Sequence, residues 1–228
     1  MSNPGHKNIF VVIPAWNEHA AIRQVVQDLM PYHYRLVIVD DGSSPPLFKE
    51  LKELPVYYLR HRINLGQGAA LRTGIGFALE NAADYIVSFD ADGQHLAGDI
   101  EQLIAALQNA DMALGSRFLP GAGHNMTAGR TWLLRMARLV NFLFTGRLLS
   151  DAHNGLRAMT RSAAEKIRLT QNGMAHATEI ISEARRAGLR IREVPVTIRY
   201  TEYSRNKGQT ATDSFRILFD LFLSKFSR

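Results

Sequence analysis

Two aspartates one residue apart, Asp90 and Asp92, close an apolar run and precede Gly93 and Gln94. Carboxylates at i and i+2 just past a strand can converge on one hard divalent cation. Mg²⁺ and Mn²⁺ take such oxygen ligands and complete their shells with substrate phosphates. Gln94 can add an amide oxygen, and His95 abuts the group. The same residues also suit a plain polar turn, because Asp and Gly are turn formers. Asn17-Glu18 and Asp40-Asp41 sit in the same situation, each at the end of an apolar run. Arg72, Arg117 and Arg157, with the carboxylate Asp151, complete the charged candidates. A guanidinium pairs two phosphate oxygens at once, which suits it to diphosphate or monophosphate groups. None of the eight histidines stands four residues from another, so the spacing of a helical zinc pair is absent.

The elements that position these residues are legible from period and length. Ile9–Pro14 and Leu36–Val39 read as buried strands, and Val56–Leu59, Tyr85–Phe89 and Met112–Gly115 as further strands. Helical spacing predicts helices over 18–30, 47–53, 67–82 and 98–109 between them, with Leu71, Ile75, Ala78 and Leu79 on one face of the third. This alternation calls for an α/β fold, a mostly parallel central sheet with helices on both faces. Ligands in such sheets sit beyond the carboxyl ends of strands, where Asn17-Glu18, Asp40-Asp41 and Asp90/Asp92 fall. In the second half, a strand over Leu156–Met159, helices over 161–168 and 176–187, and one strand over Ile191–Tyr200 are expected. Pro195 marks that last strand as an edge or a bulge. Residues 118–129 read as a glycine-rich loop and 201–212 as a polar one. Helices over 130–149 and 213–226 mix Phe and Leu with Lys and Arg, which fits an interfacial helix or a core helix with a basic outer face.

The chain has 228 residues, 46% hydrophobic and 21% charged, and no cysteine. It is long enough for a sizeable core, and disulfides and thiolate metal sites are excluded. Residues 1–113 carry an excess of five negative charges and residues 114–228 an excess of eleven positive ones, within a net charge of +6. An acidic half fits metal binding, and a basic half fits phosphates or an anionic membrane. No apolar run approaches the roughly 18 residues of a spanning helix, and the first run is too short for a secretory signal. The expectation is a cytoplasmic protein, peripheral on the inner membrane face.

Five segments occur in order: Pro14–Glu18 (PAWNE), Val39–Ser43 (VDDGS), Asn64–Gly74 (NLGQGAALRTG), Asp90–His95 (DADGQH) and Gly115–Phe118 (GSRF). Together they resemble the donor half of family 2 glycosyltransferases, and within them the polyprenyl- and dolichyl-phosphate hexosyltransferases. The resemblance implies a single GT-A domain over 1–228, with a nucleotide-sugar and metal half (1–117) and an acceptor half (118–228). It implies an inverting, metal-dependent hexosyltransferase using a UDP- or GDP-sugar, such as GDP-mannose or UDP-glucose, and Mg²⁺ or Mn²⁺. The acceptor implied is a polyprenyl or dolichyl phosphate, with a membrane-protein partner possible and no nucleic-acid partner.

Carried over residue by residue, Pro14, Ala15, Asn17 and Glu18 border the nucleotide base and ribose. Asp41 contacts the base, with Asp40 beside it. Asp90, with Ala91 next to it, serves the ribose or the metal shell, and Asp92 and Gln94 hold the metal. Gly66 and Gly68 let backbone approach the donor, and Arg72 serves its diphosphate. Arg117 meets the donor or the acceptor phosphate. Asp151–Arg157 resembles a D-x-x-x-G-x-R segment, with Asp151 as a general base and Arg157 as an acceptor-phosphate ligand. Arg205 and Lys207, in the loop 199–208, also bind phosphate. Arg130-Thr131-Trp132 lacks the glutamine and the adjacency of the Q-x-x-R-W signature of processive synthases. A transferase acting on a soluble saccharide or protein, or a non-catalytic nucleotide-sugar-binding protein, remains the alternative.

Overall fold

A computed structural model describes residues 7–124, 142, 146, 149–151 and 154–199. The expected helix over 213–226, the 201–212 loop with Arg205 and Lys207, and all of the expected 130–149 helix except Phe142, Gly146 and Leu149 lie outside them.

Seven strands form the central sheet in the order β3-β2-β1-β4-β7-β5-β8. They are β1 (Ile9–Ala15), β2 (Arg35–Asp40), β3 (Val56–Arg60), β4 (Tyr85–Ser88), β5 (Met112–Ser116), β7 (Arg157–Thr160) and β8 (Ile191–Pro195). All run parallel except β7, which lies antiparallel between β4 and β5. The mixed α/β, mostly parallel sheet read from the sequence is therefore present. Successive residues of β1 serve opposite faces, as strand geometry requires. Val11 and Ile13 enter a core with Val25 and Leu29 of helix α1 (Ile22–Leu29) and Ile100 and Leu103 of α4 (Asp99–Ala106). Phe10 and Val12 enter a second core with Leu71 and Ala78 of α3 (Gln67–Glu80) and Ile180 and Ile181 of α6 (His176–Arg186). Helices α2 (Phe48–Leu51) and α5 (Arg161–Lys166) are short. Both cores draw on residues before and after position 117.

Two expectations are corrected. Helix α1 begins at Ile22 rather than at residue 18, because Glu18 O accepts from the Ala21 and Ile22 amides and residues 18–21 form a turn. The single strand expected over Ile191–Tyr200 divides at Pro195, with Tyr200 outside the described residues. Proline has no amide to donate, and the Val196 amide closes the pairing with β5 on Ser116 O at 3.0 Å. The chain then leaves the sheet. Its next residues form β9 (Thr197–Ile198), which pairs with β6 (Gly123–His124).

Candidate active site

The carboxyl ends of β1, β2 and β4 gather the acidic motifs, but the carboxylates do different jobs. Asp40 is fully buried. Its Oδ1 accepts from the Ser43 amide at 2.8 Å, and its Oδ2 accepts from the Leu47 amide at 3.0 Å and from the Tyr58 hydroxyl. Burial opposes ionisation, but the hydrogen bonds from Ser43, Tyr58 and Leu47 outweigh it and hold the Asp40 carboxyl below its usual range. Burial, then the Asp40 carboxylate, pushes the Tyr58 hydroxyl up, so it remains a donor. Asp40 thus shapes the turn beside Asp41. Asp40→Asn sets an amide N–H₂ against the Leu47 amide or the Tyr58 hydroxyl. It is expected to cost about 2–3 kcal/mol in urea unfolding, with donor affinity changed far less than stability.

Asp41 closes a different loop. Its Oδ1 accepts from His61 Nδ1 at 2.7 Å and from the Leu65 amide at 3.0 Å; its Oδ2 accepts from the Gly66 amide at 2.7 Å. His61 Nε2 lies 2.9 Å from the Thr73 hydroxyl. Asn17 adopts a left-handed backbone, φ 54°, which asparagine tolerates better than most residues. Its amide donates to Ser43 Oγ at 2.9 Å and its Oδ1 accepts from the Ser44 amide at 2.9 Å, locking the β1 and β2 ends together. Pro14 and Ala15 are buried at the end of β1.

Asp90 and Asp92 follow β4. Asp90 Oδ2 accepts from His95 Nε2 at 2.9 Å and Oδ1 from Gln67 Nε2 at 3.2 Å. Burial pushes the Asp90 carboxyl up, but the His95 hydrogen bond, with the pull of His95, His176 and Arg157, outweighs it and holds the group below the carboxylate range. Asp92 is displaced the other way. Burial, then the Asp90 carboxylate and Glu18 further off, raise it against His95 and the Gln94 amide. Both oxygens of Asp92 accept from Gln94, from its backbone amide at 3.1 Å and from its side-chain Nε2. Among the described residues no three His, Cys, Asp or Glu side chains form a metal cage. An oxygen set of two carboxylates and an amide that turns over to present its oxygen fits a hard cation that draws further ligands from phosphates. Ala91 is 4% exposed and packs in the core, so only its backbone faces the loop.

Strand β7 brings the second half of the chain to these groups. Arg157 pairs in register with Ser88 of β4 on one side and Leu114 of β5 on the other. Just before it, Gly155 packs so closely under Asp90 that a Cβ there would lie 2.1 Å from Oδ2. Arg157 is 3% exposed and donates to Asn154 O at 2.9 Å and Ala177 O at 3.2 Å. Burial pulls its guanidinium down to about 10, against Asp90 and Asp151, so it stays charged at neutral pH. Asp151 does not pair with Arg157. It takes Arg117, whose Nε and backbone amide both donate to Asp151 Oδ2. Glu193 of β8 holds this segment by accepting from the Ser150 and Asp151 amides at 2.7 and 3.2 Å.

The glycine loop and Arg72 are engaged by a second segment of the chain. Gly66, at φ +103°, and Gly68 leave no room for a Cβ beside Asn172 O and Gln171 O. The Gly68 and Ala69 amides, at the start of α3, donate to Asn172 O at 2.7 and 3.2 Å. Arg72 donates to Leu169 O and Asn172 Oδ1. A protein segment thus lies against the start of α3.

His61, Gln67, Asn154, Glu193 and His176 are site-forming residues that sequence reasoning missed; only Gln67 and Asn154 lay inside motifs already noted. His176 is 5% exposed, and its Nδ1 donates to Gly173 O at 2.9 Å. Burial, then the Arg157 charge, pulls its pKa down to about 4. Above pH 6.5 the ring is neutral in both folded and unfolded chains. As pH falls from 6.5 towards 4 the unfolded chain binds the proton and the fold does not, so stability is lost across that window. His176→Gln is expected to remove about 2–3 kcal/mol of this loss in metal-free urea melts.

The model of the family described as "Glycosyl transferase family 2" matches residues 10–168. The chain belongs to that family. It is 33% identical over 245 residues to the UDP-N-acetylglucosamine–dolichyl-phosphate N-acetylglucosaminyltransferase of Methanococcus voltae, covering 97% of this chain and 98% of that one. It is 29% identical to the polyprenol monophosphomannose synthase of Mycolicibacterium smegmatis, covering 86% and 79%. The glucosyl-3-phosphoglycerate synthase of Mycobacterium tuberculosis, crystallised with Mn²⁺, UDP and glucosyl-3-phosphoglycerate, superposes with a TM-score of 0.73 at 18% identity, covering 97% and 79%. The fold of this family 2 glycosyltransferase is GT-A. Among the described residues no helix is long and apolar enough to cross a membrane.

Proposed function

We propose that this family 2 transferase moves a hexose from a UDP- or GDP-sugar to a polyprenyl or dolichyl phosphate, with a divalent cation and inversion at the anomeric carbon, in one GT-A domain on the inner membrane face. The observation that carries the reading is the meeting of Asp90, Asp92 and Gln94 with the Arg117–Asp151 pair and Arg157 through the inserted strand β7. Two kinds of relative, the dolichyl-phosphate and polyprenol enzymes named above, support a lipid-phosphate acceptor.

In this reading Pro14, Ala15, Asn17, Glu18 and Asp41 border the nucleotide, and Asp90, Asp92 and Gln94 hold Mg²⁺ or Mn²⁺. The bound cation supplies Lewis acidity to the departing diphosphate. Asp151, paired with Arg117, orients it towards the phosphates. No strong base is needed, because a monophosphate has a second pKa near 6 and carries nucleophilic oxygens at neutral pH. The protein's task is to position that oxygen in line with the anomeric carbon. Arg157 lends charge from below, and Arg205 and Lys207 complete the acceptor-phosphate contacts.

The test is a thermal-shift screen of UDP- and GDP-sugars with Mn²⁺ or EDTA, followed by transfer assays with polyprenyl phosphate in vesicles and with soluble saccharides. A metal-dependent rise with one nucleotide and transfer only to the lipid phosphate are expected. Transfer to the soluble acceptor alone moves the reading to the other transferase class, and no rise with any nucleotide overturns it.

A further inference from the structure

The two loops that meet at the mouth of the site hold apolar side chains out into solvent. Ile63 is 66% exposed, Leu65 44% and Met174 40%. The backbones beneath them are tied down. Asp41 accepts from the Leu65 and Gly66 amides, and Asn172 O accepts from the Gly68 and Ala69 amides. Arg72 clamps the second loop through Leu169 O and Asn172 Oδ1. Exposed Phe48 and Tyr57, by contrast, stack on Tyr58 and on Phe10 and Phe77. A single exposed aliphatic residue is unremarkable, but several carried on one clamped rim mark an interaction surface.

The charge around the rim indicates the occupant. Residues 61–72 and 169–176 contain Arg62 and Arg72, both exposed, and no Asp or Glu. The neighbouring carboxylates of Asp41 and Glu179 are bonded to rim amides, and the exposed charges beside the aliphatic side chains are the two arginines, which suits the headgroup region of an anionic bilayer. A second copy of the chain brings the same net charge of +6 and is repelled. The Leu65 amide is itself bonded to Asp41, so a membrane seated on the rim faces the mouth of the site.

We infer that Ile63, Leu65 and Met174, with Arg62 and Arg72, form a membrane-docking rim that seats the site mouth on an anionic lipid surface. This rests on the lipid-phosphate reading above. Docking here presents the site at headgroup depth, where the phosphate of a lipid carrier lies.

The full chain is tested by sedimentation with phosphatidylcholine vesicles and with phosphatidylcholine–phosphatidylglycerol vesicles. Ile63→Glu/Leu65→Glu and Met174→Glu are each compared with the parent, with melting temperature and donor binding measured alongside. Binding of the parent to anionic vesicles that falls about tenfold in both variants, at unchanged melting temperature and donor affinity, supports the rim. Parent-level vesicle binding in the variants overturns it. So does a fall in donor affinity with vesicle binding intact, which makes these residues part of the nucleotide pocket, or a loss of self-association instead of vesicle binding. A parent that docks on vesicles but binds no nucleotide sugar overturns the transferase reading and leaves the rim standing.

Discussion

Asp92→Asn is expected to abolish metal-dependent donor binding while leaving the metal-free protein at least as stable as the parent. Asp92 is an anion kept in place against its surroundings: burial and the carboxylates of Asp90 and Glu18 raise its pKa. A carboxyl whose folded pKa is raised above its unfolded value destabilises the fold at neutral pH, where it is forced to ionise. Asparagine keeps an oxygen for the Gln94 amide and removes the repulsion. The melting temperature in EDTA therefore holds or rises, whereas the increment from Mn²⁺ plus nucleotide sugar disappears. Loss of a cation that stabilises a leaving diphosphate corresponds to several kcal/mol, and turnover falls by about a thousandfold or more. Parallel melts and single-turnover assays separate the two effects. A variant that binds donor with normal metal dependence removes Asp92 from the metal site.

Gly155→Ala is the second large effect, and it acts through space. The added methyl would lie 2.1 and 2.4 Å from the two oxygens of Asp90, far inside contact distance. Asp90 can retreat only by breaking its bonds to His95 or Gln67. The 154–157 segment can retreat only by breaking Ser88 Oγ–Gly155 O at 2.7 Å and the Asn154 Oδ1 bond to the Leu156 amide at 2.9 Å. Overpacking of this kind costs about 1–3 kcal/mol, and a shift of the carboxylate by an ångström costs about a hundredfold in turnover. Gly76→Ala is the control. A Cβ there meets nothing within 4 Å, and position 76 lies inside helix α3, so this variant is expected to gain up to about 1 kcal/mol. Urea unfolding of the two alanine variants should move in opposite directions, with turnover lost only in Gly155→Ala.

Local pattern was enough to find the strands and the helices of the first half, because a buried parallel strand reads as a short β-branched run and each was followed by an amphipathic stretch. It also placed Asp90, Asp92 and Gln94 just past the end of β4, where they stand. It carries no information on which segments distant in sequence come to lie together. Residues 171–172 lie where a Cβ on Gly66 or Gly68 would fall. Asp40 and Asp41 are adjacent and chemically identical, and only the fold turns one into the β2 turn and the other towards His61 and the 65–66 amides.

By itself the sequence determined a mixed α/β chain with acidic strand ends, since period and turn chemistry are local properties. The tertiary structure alone decided that β7 enters antiparallel between β4 and β5, that Arg157 lies buried beneath Asp90, and that Asp151 takes Arg117 as its partner. Those outcomes depend on which strand edge accepts a pairing and how a buried guanidinium is neutralised. Both are settled by contacts between residues tens of positions apart, which no window along the chain contains.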